Sequence, residues 1–168
     1  MAIEAIYPSL KDKTVLITGG GSGIGEALTR AFIAQSAKVG FLDYDKAASE
    51  MLAEELDSPG LHFEYCDLRD IDALQAGVKA VSARLGPISI LVNNAARDDR
   101  HSLESVTSDY FDERIATNLK HQLFAAQAVA GPMAAAGGGS IINMGSTCLL
   151  YTSPSPRDLS TSRMPSSA

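Results

Sequence analysis

The sequence contains few of the residues that stabilise secreted or metal-dependent proteins. Only two of its 168 residues are cysteines, Cys66 and Cys148, which is too few for a disulfide framework. Its three histidines, His62, His101 and His121, do not have the spacing of metal ligands. We therefore predict no metal site, and we interpret each histidine as a solvated or packed side chain.

Long apolar runs and an excess of positive charge are also missing. No stretch reaches the roughly 18 apolar residues that a membrane-spanning helix requires. The first residues include Glu4 and show no basic and apolar signal pattern, so we expect a cytoplasmic protein that does not bind membranes. The formal net charge of −6 argues against nucleic acid as a partner, because nucleic-acid binding favours a basic face.

The most informative stretch is a glycine-rich turn, Thr18-Gly19-Gly20-Gly21-Ser22-Gly23-Ile24-Gly25. It follows the apolar run 14–17, which predicts a buried strand, and precedes residues 24–35, whose apolar residues have helical spacing. Strand, glycine turn and helix in this order form the first half of a dinucleotide-binding unit, in which backbone N–H groups approach a pyrophosphate at the helix N-terminus. The alternative is a glycine loop that merely turns the chain.

The rest of the chain alternates between predicted strands and helices. Strands are predicted at 38–42, 61–65, 88–92 and 140–144, and helices at 46–56, 71–85 and from a cap at Thr107 to about Gly131-Pro132. Asp70 is the predicted cap of the helix at 71–85. In the last helix we predict an apolar stripe formed by Phe111, Ile115, Leu119, Leu123 and Ala126.

Several motifs along the chain resemble the short-chain dehydrogenase/reductase family. They are the Thr-Gly-x-x-x-Gly-x-Gly turn, Asp67, Asn93-Asn94-Ala95-Ala96, Asn118 and Ser146, and the resemblance covers about residues 10–147. It implies an α/β fold: a Rossmann-type doubly wound parallel sheet with strand order 3-2-1-4-5, incomplete because the later strands are missing. The cofactor would lie at the carboxyl ends of the strands.

The resemblance also assigns the residues that would bind the cofactor. They are Gly19, Ser22, Gly23, Ile24, Gly25, Asp43, Asp67, Leu68, Asn94 and Ala95. Asp43 lies 18 residues beyond Gly25, where the dinucleotide fingerprint places a ribose ligand. No Arg or Lys occupies the turn or follows Asp43 before Lys46, which favours NAD over NADP.

Each of these assignments has a structural alternative. Asp43 is also a candidate N-cap of the helix at 46–56, which is compatible with a ligand role only if Asp45 makes the cap. In the family, the acid that corresponds to Asp67 contacts the adenine edge of the cofactor, but Asp67 is also a candidate loop acid beside Arg69. Asn94 would meet the cofactor in the family, yet asparagines form turns and caps on their own account.

The resemblance implies a catalytic set of which only part is present. Ser146 corresponds to the serine that hydrogen-bonds the reacting oxygen, and Asn118 to the asparagine that bends its helix and holds a water in the proton relay. The family's Tyr-x-x-x-Lys pair would fall at Leu159 and Arg163, and no lysine follows Lys120. We therefore predict that the chain lacks the catalytic base and is inactive.

Three segments, 5–11, 98–101 and 112–115, most resemble family members that oxidise a sugar at C1 to the lactone with NAD. The substrate would then be a sugar or another alcohol, and the charged segment 98–101 is either a rim that contacts sugar hydroxyls or a solvated loop. Two alternatives remain open: a non-catalytic NAD-binding module, and a reductase of the same family for a non-sugar alcohol or ketone.

The last 21 residues change in character. Ser, Thr and Pro make up 11 of residues 148–168, and no apolar period is present, which is typical of disorder. The segments 148–158 and 162–168 resemble, in one reading frame, translated ends of a transposon adapter used in sequencing libraries. We therefore predict an NAD-binding domain at 1–147 followed by a disordered, artefactual tail. The parent enzyme would be a homo-oligomer, whereas this fragment would not assemble natively.

Overall fold

The fold is a parallel five-stranded sheet covered by helices on both faces. The computed structural model describes residues 5–99 and 101–145. The strand order is β3-β2-β1-β4-β5, as predicted. The strands are β1 (Thr14–Thr18), β2 (Lys38–Asp43), β3 (Leu61–Tyr65), β4 (Ile88–Asn93) and β5 (Ser140–Asn143). The helices are α1 (Gly23–Ala34), α2 (Lys46–Leu56), α3 (Ile71–Leu85), α4 (Ser108–Ile115) and α5 (His121–Ala135).

The central strand β1 explains why the sheet has two covered faces. All five of its residues are buried, and side chains alternate between the two faces of a strand. Val15 and Ile17 belong to the apolar cluster that includes residues of α1 and α2. Leu16 belongs to the cluster that includes residues of α3 and α5. A strand buried on both faces is rich in consecutive apolar residues, and this is the pattern of Val15, Leu16 and Ile17.

Polar side chains fix the starts of three helices. Asp45 caps α2 by accepting from the Ala48 N–H at 3.0 Å. Asp70 and Thr107 cap α3 and α4 in the same way, with distances of 3.1 Å. Each cap satisfies a backbone donor that the helix itself leaves unpaired, which stabilises a helix by about 0.5–2 kcal/mol. The predicted caps at Asp70 and Thr107 are present.

The predicted long helix capped by Thr107 is present, but it contains a π-helical segment and ends at Ala135 rather than near Gly131-Pro132. The chain forms α4, then a five-residue π-helical segment, Ala116–Lys120, and then α5. Helix α5 continues past Pro132 to Ala135. A proline removes one helical N–H donor, and in the last turn of a helix this costs a single hydrogen bond without ending the element.

Four of the five residues of the predicted apolar stripe do not face the core, whereas the fifth, Ala126, packs against it. Phe111, Ile115, Leu119 and Leu123 have between 40% and 67% of their surface exposed. The buried row of α5 is instead His121, Ala125, Val129 and Met133, spaced four residues apart. Helix α5 is apolar on nearly all sides, so its sequence period does not select a face. The π-helical segment before it changes the rotation of the chain, and tertiary packing decides which row is buried.

Candidate functional site

A cavity of about 440 Å³ lies at the carboxyl ends of the strands, where the chain leaves β1, β2, β3 and β4. This is the edge at which doubly wound sheets bind ligands. Nine of the ten residues predicted to bind the cofactor line it: Gly19, Ser22, Ile24, Gly25, Asp43, Asp67, Leu68, Asn94 and Ala95. The tenth, Gly23, is not among the lining residues.

The glycine turn has a conformation and a packing that require glycine, as Gly19 and Gly25 illustrate. Gly19 has a φ of +68°, in the left-handed region that side chains disfavour. At Gly25 an added Cβ would lie 1.7 Å from the Gly19 carbonyl oxygen, so the start of α1 packs directly on the turn. The turn is held from both sides, because the Gly21 N–H donates to Asp43 Oδ2 at 2.9 Å and Thr29 Oγ1 donates to the Gly20 carbonyl at 3.1 Å.

The start of α1 has the donors that a diphosphate requires. Unlike α2, α3 and α4, it has no side-chain cap, because the Ser22 side chain makes no cap hydrogen bond. The first N–H groups of a helix have no intrahelical acceptor, and here Ser22, Ile24 and Gly25 line the cavity. An added Cβ at Gly23 would meet nothing within 4 Å, so there is open space beside these donors. The residues therefore fit the pyrophosphate of a dinucleotide.

Asp43 is a buried carboxylate that lines the cavity, with 6% of its surface exposed. Its Oδ2 accepts from Gly21, and its Oδ1 accepts from the Asp45 N–H at 3.0 Å. Asp45, rather than Asp43, caps α2. Each carboxylate oxygen can accept more than one hydrogen bond, so Asp43 keeps the capacity to bind hydroxyl groups.

Asp67 is paired with its neighbour Arg69. Its carboxylate accepts from the Arg69 backbone N–H at 3.0 Å, from Nε at 2.9 Å and from Nη2 at 2.6 Å. Hydrogen bonding from the Arg69 side chain lowers the pKa of Asp67. The interpretation of Asp67 as a loop acid beside Arg69 therefore describes the contacts present, although its side chain is 40% exposed at the cavity.

Sequence reasoning missed an ion-pair network at the rim of the cavity. Glu113 Oε1 accepts from Arg69 Nη1 at 3.2 Å and from Arg97 Nη1 at 2.8 Å, so α4 is linked to the segments that follow β3 and β4. Tyr44, Ala96 and Thr117 also line the cavity without having been predicted. The position of Arg69 and Arg97 after strand ends was a usable signal, but Glu113 lies 44 and 16 residues away and no local pattern links it to them.

Asn94 holds the glycine turn. Its Nδ2 donates to the carbonyls of Thr18 and Gly19 at 3.1 and 3.0 Å. The backbone N–H groups of Asn94 and Ala95 donate to Thr18 Oγ1 at 3.1 and 3.2 Å. Asn94 is therefore a turn-forming asparagine that also lines the cavity, and it ties the end of β4 to the end of β1.

Asn118 lies in the π-helical segment, outside the cavity lining. Its Oδ1 accepts from the Arg97 N–H at 2.8 Å, and its Nδ2 donates to the Arg97 carbonyl at 3.0 Å. Both halves of the amide thus have partners, as a polar group in an apolar helix requires. Ser146 lies outside the described residues, as do Leu159, Arg163 and the tail 148–168.

The described part of the charged segment 98–101 packs on α4. Tyr110 Oη lies 2.8 Å from His101 Nδ1, and Arg114 Nη2 lies 2.9 Å from Asp99 Oδ1. The Arg114 guanidinium also stacks 4.6 Å from the Tyr110 ring centre. Arg100 lies outside the described residues. Asp99 and His101 therefore contact protein groups while remaining exposed, and the choice between a solvated loop and a sugar-binding rim stays a prediction.

The described residues contain neither a cluster of metal ligands nor a helix that could span a membrane. Across 5–99 and 101–145, no group of three His, Cys, Asp or Glu side chains is arranged to hold a metal ion. Within the same ranges, every helix is too short or too polar to cross a membrane.

Comparison with known proteins identifies the family. The sequence model described as short chain dehydrogenase matches residues 13–162. D-xylose 1-dehydrogenase of Caulobacter vibrioides is 51% identical over 145 residues, which are 85% of this chain and 57% of the relative. The probable galactose dehydrogenase GalD of Rhizobium meliloti is 46% identical over 151 residues, 88% of this chain and 59% of the relative.

A solved structure agrees with the sequence relatives. A doubly substituted short-chain dehydrogenase/reductase of Serratia marcescens superposes with a TM-score of 0.78 at 30% identity, over 85% of this chain and 58% of that one. The chain thus spans little more than half the length of the relatives it matches. With its parallel sheet, glycine turn and matching family model, the chain belongs to the short-chain dehydrogenase family.

Proposed function

We propose that the chain is the cofactor-binding part of an NAD-dependent dehydrogenase that oxidises a sugar at C1 to the lactone. The observation that carries the cofactor choice is Asp43, a buried carboxylate in the cavity. Asp67 and Glu113, two further acids of the cavity, are neutralised by Arg69 and Arg97, whereas no cation of the described residues pairs with Asp43. The Asp43 carboxylate would accept hydrogen bonds from the ribose hydroxyls, and its negative charge would repel a 2′-phosphate.

The proposed assignment of roles follows the geometry of the cavity. The N–H groups at the start of α1 bind the pyrophosphate, Asp43 binds the adenosine ribose, and the segment from Asn94 onward borders the nicotinamide half. The bound nicotinamide supplies a hydride acceptor. Asn118 fixes the Arg97 backbone, and through it the segment that follows β4.

The sugar substrate is supported by the names of the relatives, which include a D-xylose, a galactose and a D-threitol dehydrogenase. Oxidation of an alcohol also needs a base for the hydroxyl proton, and such a positioned base typically contributes about 10²–10⁴-fold in rate. The sequence has Leu159 and Arg163 where the family's tyrosine and lysine would fall. We therefore propose that this chain, expressed by itself, binds NAD without turning over a substrate.

The cofactor proposal is tested by titrating the chain with NADH and with NADPH and following nicotinamide fluorescence. We expect NADH to bind at least about tenfold more tightly than NADPH. Asp43→Asn should weaken NADH about tenfold or more, because hydrogen bonds to a charged group contribute about 1.5–3 kcal/mol. Asp45→Asn is the matched control and should change nothing, because asparagine caps a helix as well as aspartate does. Equal affinities for both cofactors, or an unchanged Asp43→Asn variant, would refute the NAD assignment.

The substrate proposal needs a second experiment. The chain incubated with NAD⁺ and D-xylose, D-galactose or D-threitol should give no NADH. Residues 1–147 fused to the remaining part of the Caulobacter relative should produce NADH with a sugar. A fusion that is active only on a steroid or a non-sugar alcohol would favour the alternative reductase, and turnover by the unfused chain would refute the proposed inactivity.

The domain division at residue 147 and the artefactual tail stay predictions, since the tail lies outside the described residues. Reading the source DNA across codon 147 tests them. A gene that continues with codons for Tyr-x-x-x-Lys near position 159 would support an artefactual tail on an ordinary dehydrogenase. A natural Ser- and Pro-rich continuation would instead favour a non-catalytic NAD-binding module.

A further inference from the structure

His121 is a fully buried histidine whose two ring nitrogens both meet uncharged partners. Its exposed fraction is 0%, and it lies at the start of α5. Nε2 is 3.3 Å from Thr18 Oγ1, and Nδ1 is hydrogen-bonded to the Thr117 carbonyl oxygen. Thr18 ends β1, 103 residues earlier in the chain, and Thr117 belongs to the π-helical segment.

The hydrogen-bond partners fix the position of the ring proton. Thr18 Oγ1 accepts from the backbone N–H groups of Asn94 and Ala95, which uses both of its lone pairs. Its own proton must therefore point to an acceptor, and His121 Nε2 is that acceptor. Nε2 consequently carries no proton.

The other side of the ring leads independently to the same tautomer. A backbone carbonyl can only accept, so Nδ1 must carry the proton that is donated to Thr117. Both partners are satisfied by a neutral ring protonated at Nδ1, and by no other form. Burial lowers the pKa of His121 below the ordinary value near 6.5, which agrees with a neutral ring.

The groups joined by His121 belong to three walls of the cavity. Thr18 is the first residue of the glycine turn, Asn94 and Ala95 lie after the end of β4, and Thr117 of the π-helical segment lines the cavity. A hydroxyl group that could rotate would hold the two N–H groups less firmly. The ring fixes that hydroxyl and is itself fixed by the π-helical segment.

We propose that His121 is a positioning residue: its neutral, Nδ1-protonated ring holds the glycine turn, the Asn94-Ala95 backbone and the π-helical segment in the arrangement that binds the cofactor. The consequence for cofactor binding rests on the proposed function, whereas the tautomer and the hydrogen-bond chain do not. The competing interpretation is that the ring only fills space.

The first test is spectroscopic and needs no ligand. Long-range ¹⁵N–¹H correlation spectra of the histidine-labelled chain, assigned by comparison with His121→Leu or His121→Gln, should show His121 neutral and protonated at Nδ1 at neutral pH. A ring protonated at Nε2, or at both nitrogens, would overturn the proposal. The measurement is made on the unmodified chain, and if both His121 variants fail to fold, the His121 signals are assigned by elimination with His62→Leu and His101→Leu.

The second test separates hydrogen bonding from packing with three variants. His121→Gln offers an oxygen near the position of Nε2 and can accept from Thr18. His121→Asn offers an N–H near Nδ1 and can reach only Thr117. His121→Leu fills similar volume and makes neither bond. His62→Leu is the control, since His62 pairs with Glu64 on β3 and does not line the cavity.

The readouts are amide hydrogen exchange at Asn94 and Ala95 and the Kd for NADH. We expect His121→Leu and His121→Asn, which both lose the Thr18 bond, to speed exchange at both amides and to weaken NADH about tenfold. His121→Gln keeps that bond and loses only the Thr117 bond, so its exchange rates and Kd should lie clearly closer to those of the unmodified chain than the values of His121→Leu do. Unchanged exchange in His121→Leu, or no rescue by His121→Gln, would overturn the proposal. If the unmodified chain fails to bind NADH, the proposed function fails, and the tautomer and exchange results still decide the role of His121.

Discussion

Gly25→Ala is the substitution that tests the geometry of the glycine turn most directly. In an ordinary helix the change from glycine to alanine stabilises by about 1 kcal/mol. At Gly25 the new Cβ would lie 1.7 Å from the Gly19 carbonyl oxygen and 2.8 Å from Asn94 Nδ2. The nearest atom is backbone, so no side-chain rotation can relieve the contact, and the turn must move away from α1.

The magnitude follows from what that movement breaks. Overpacking typically costs about 1–3 kcal/mol. Moving the Gly19 carbonyl also breaks its 3.0 Å hydrogen bond from Asn94 Nδ2, which costs about 1 kcal/mol more. The gain in helix propensity, about 1 kcal/mol, offsets this second loss. We therefore expect Gly25→Ala to lower the free energy of unfolding by about 1–3 kcal/mol.

The assay is urea denaturation followed by circular dichroism, together with NADH titration. The matched control is Gly131→Ala in α5, where an added Cβ would meet nothing within 4 Å apart from its chain neighbours. The gain in helix propensity and the cost of a side chain before Pro132 oppose each other there, so the free energy of unfolding should change by less than about 1 kcal/mol. Only Gly25→Ala is expected to lower stability beyond that range and to weaken NADH binding. A Gly25→Ala chain as stable as the unmodified protein would refute the packing described for the turn.

Three further predictions follow from individual contacts. Asp70→Ala should lower the free energy of unfolding by about 0.5–2 kcal/mol in urea denaturation, while Asp70→Asn, which keeps the cap, should not. Burial lowers the folded-state pKa of His121, so the unfolded chain takes up an extra proton as pH falls below about 6.5, and the free energy of unfolding should drop by up to about 1.4 kcal/mol per pH unit. His121→Gln should reduce the slope of stability against pH in this range by the same amount. An equal slope in both proteins would contradict the prediction. Burial also raises the pKa of the Cys66 thiol to about 11, which leaves little reactive thiolate at pH 8. In a Cys148→Ser background, a thiol reagent at pH 8 should therefore modify Cys66 far more slowly in the folded chain than in the urea-unfolded chain. Equal rates would contradict the burial of Cys66.

The sequence by itself determined the elements whose signals are local. An apolar run, a glycine turn and helical spacing predicted β1, the turn and α1, and the caps at Asp70 and Thr107 were read from single residues. The sheet order followed from motifs that resemble a known family. These features depend on neighbours a few residues apart, so the chain carries them without reference to the rest of the fold.

Only the tertiary structure decided which groups meet across the cavity. The contact of His121 with Thr18 spans 103 residues, and that of Arg69 with Glu113 spans 44. No periodicity or motif encodes such a pair, because it exists only after the strands have aligned their carboxyl ends.

The buried face of α5 was decided in the same way. Its sequence is apolar on nearly every side, so hydrophobic spacing alone predicts no orientation. The π-helical segment before it and close packing of small residues against α3 and the sheet bury the row that contains His121, and leave Leu119 and Leu123 exposed. Periodicity selects a face only when one side of a helix is polar, and here the neighbouring elements make the selection instead.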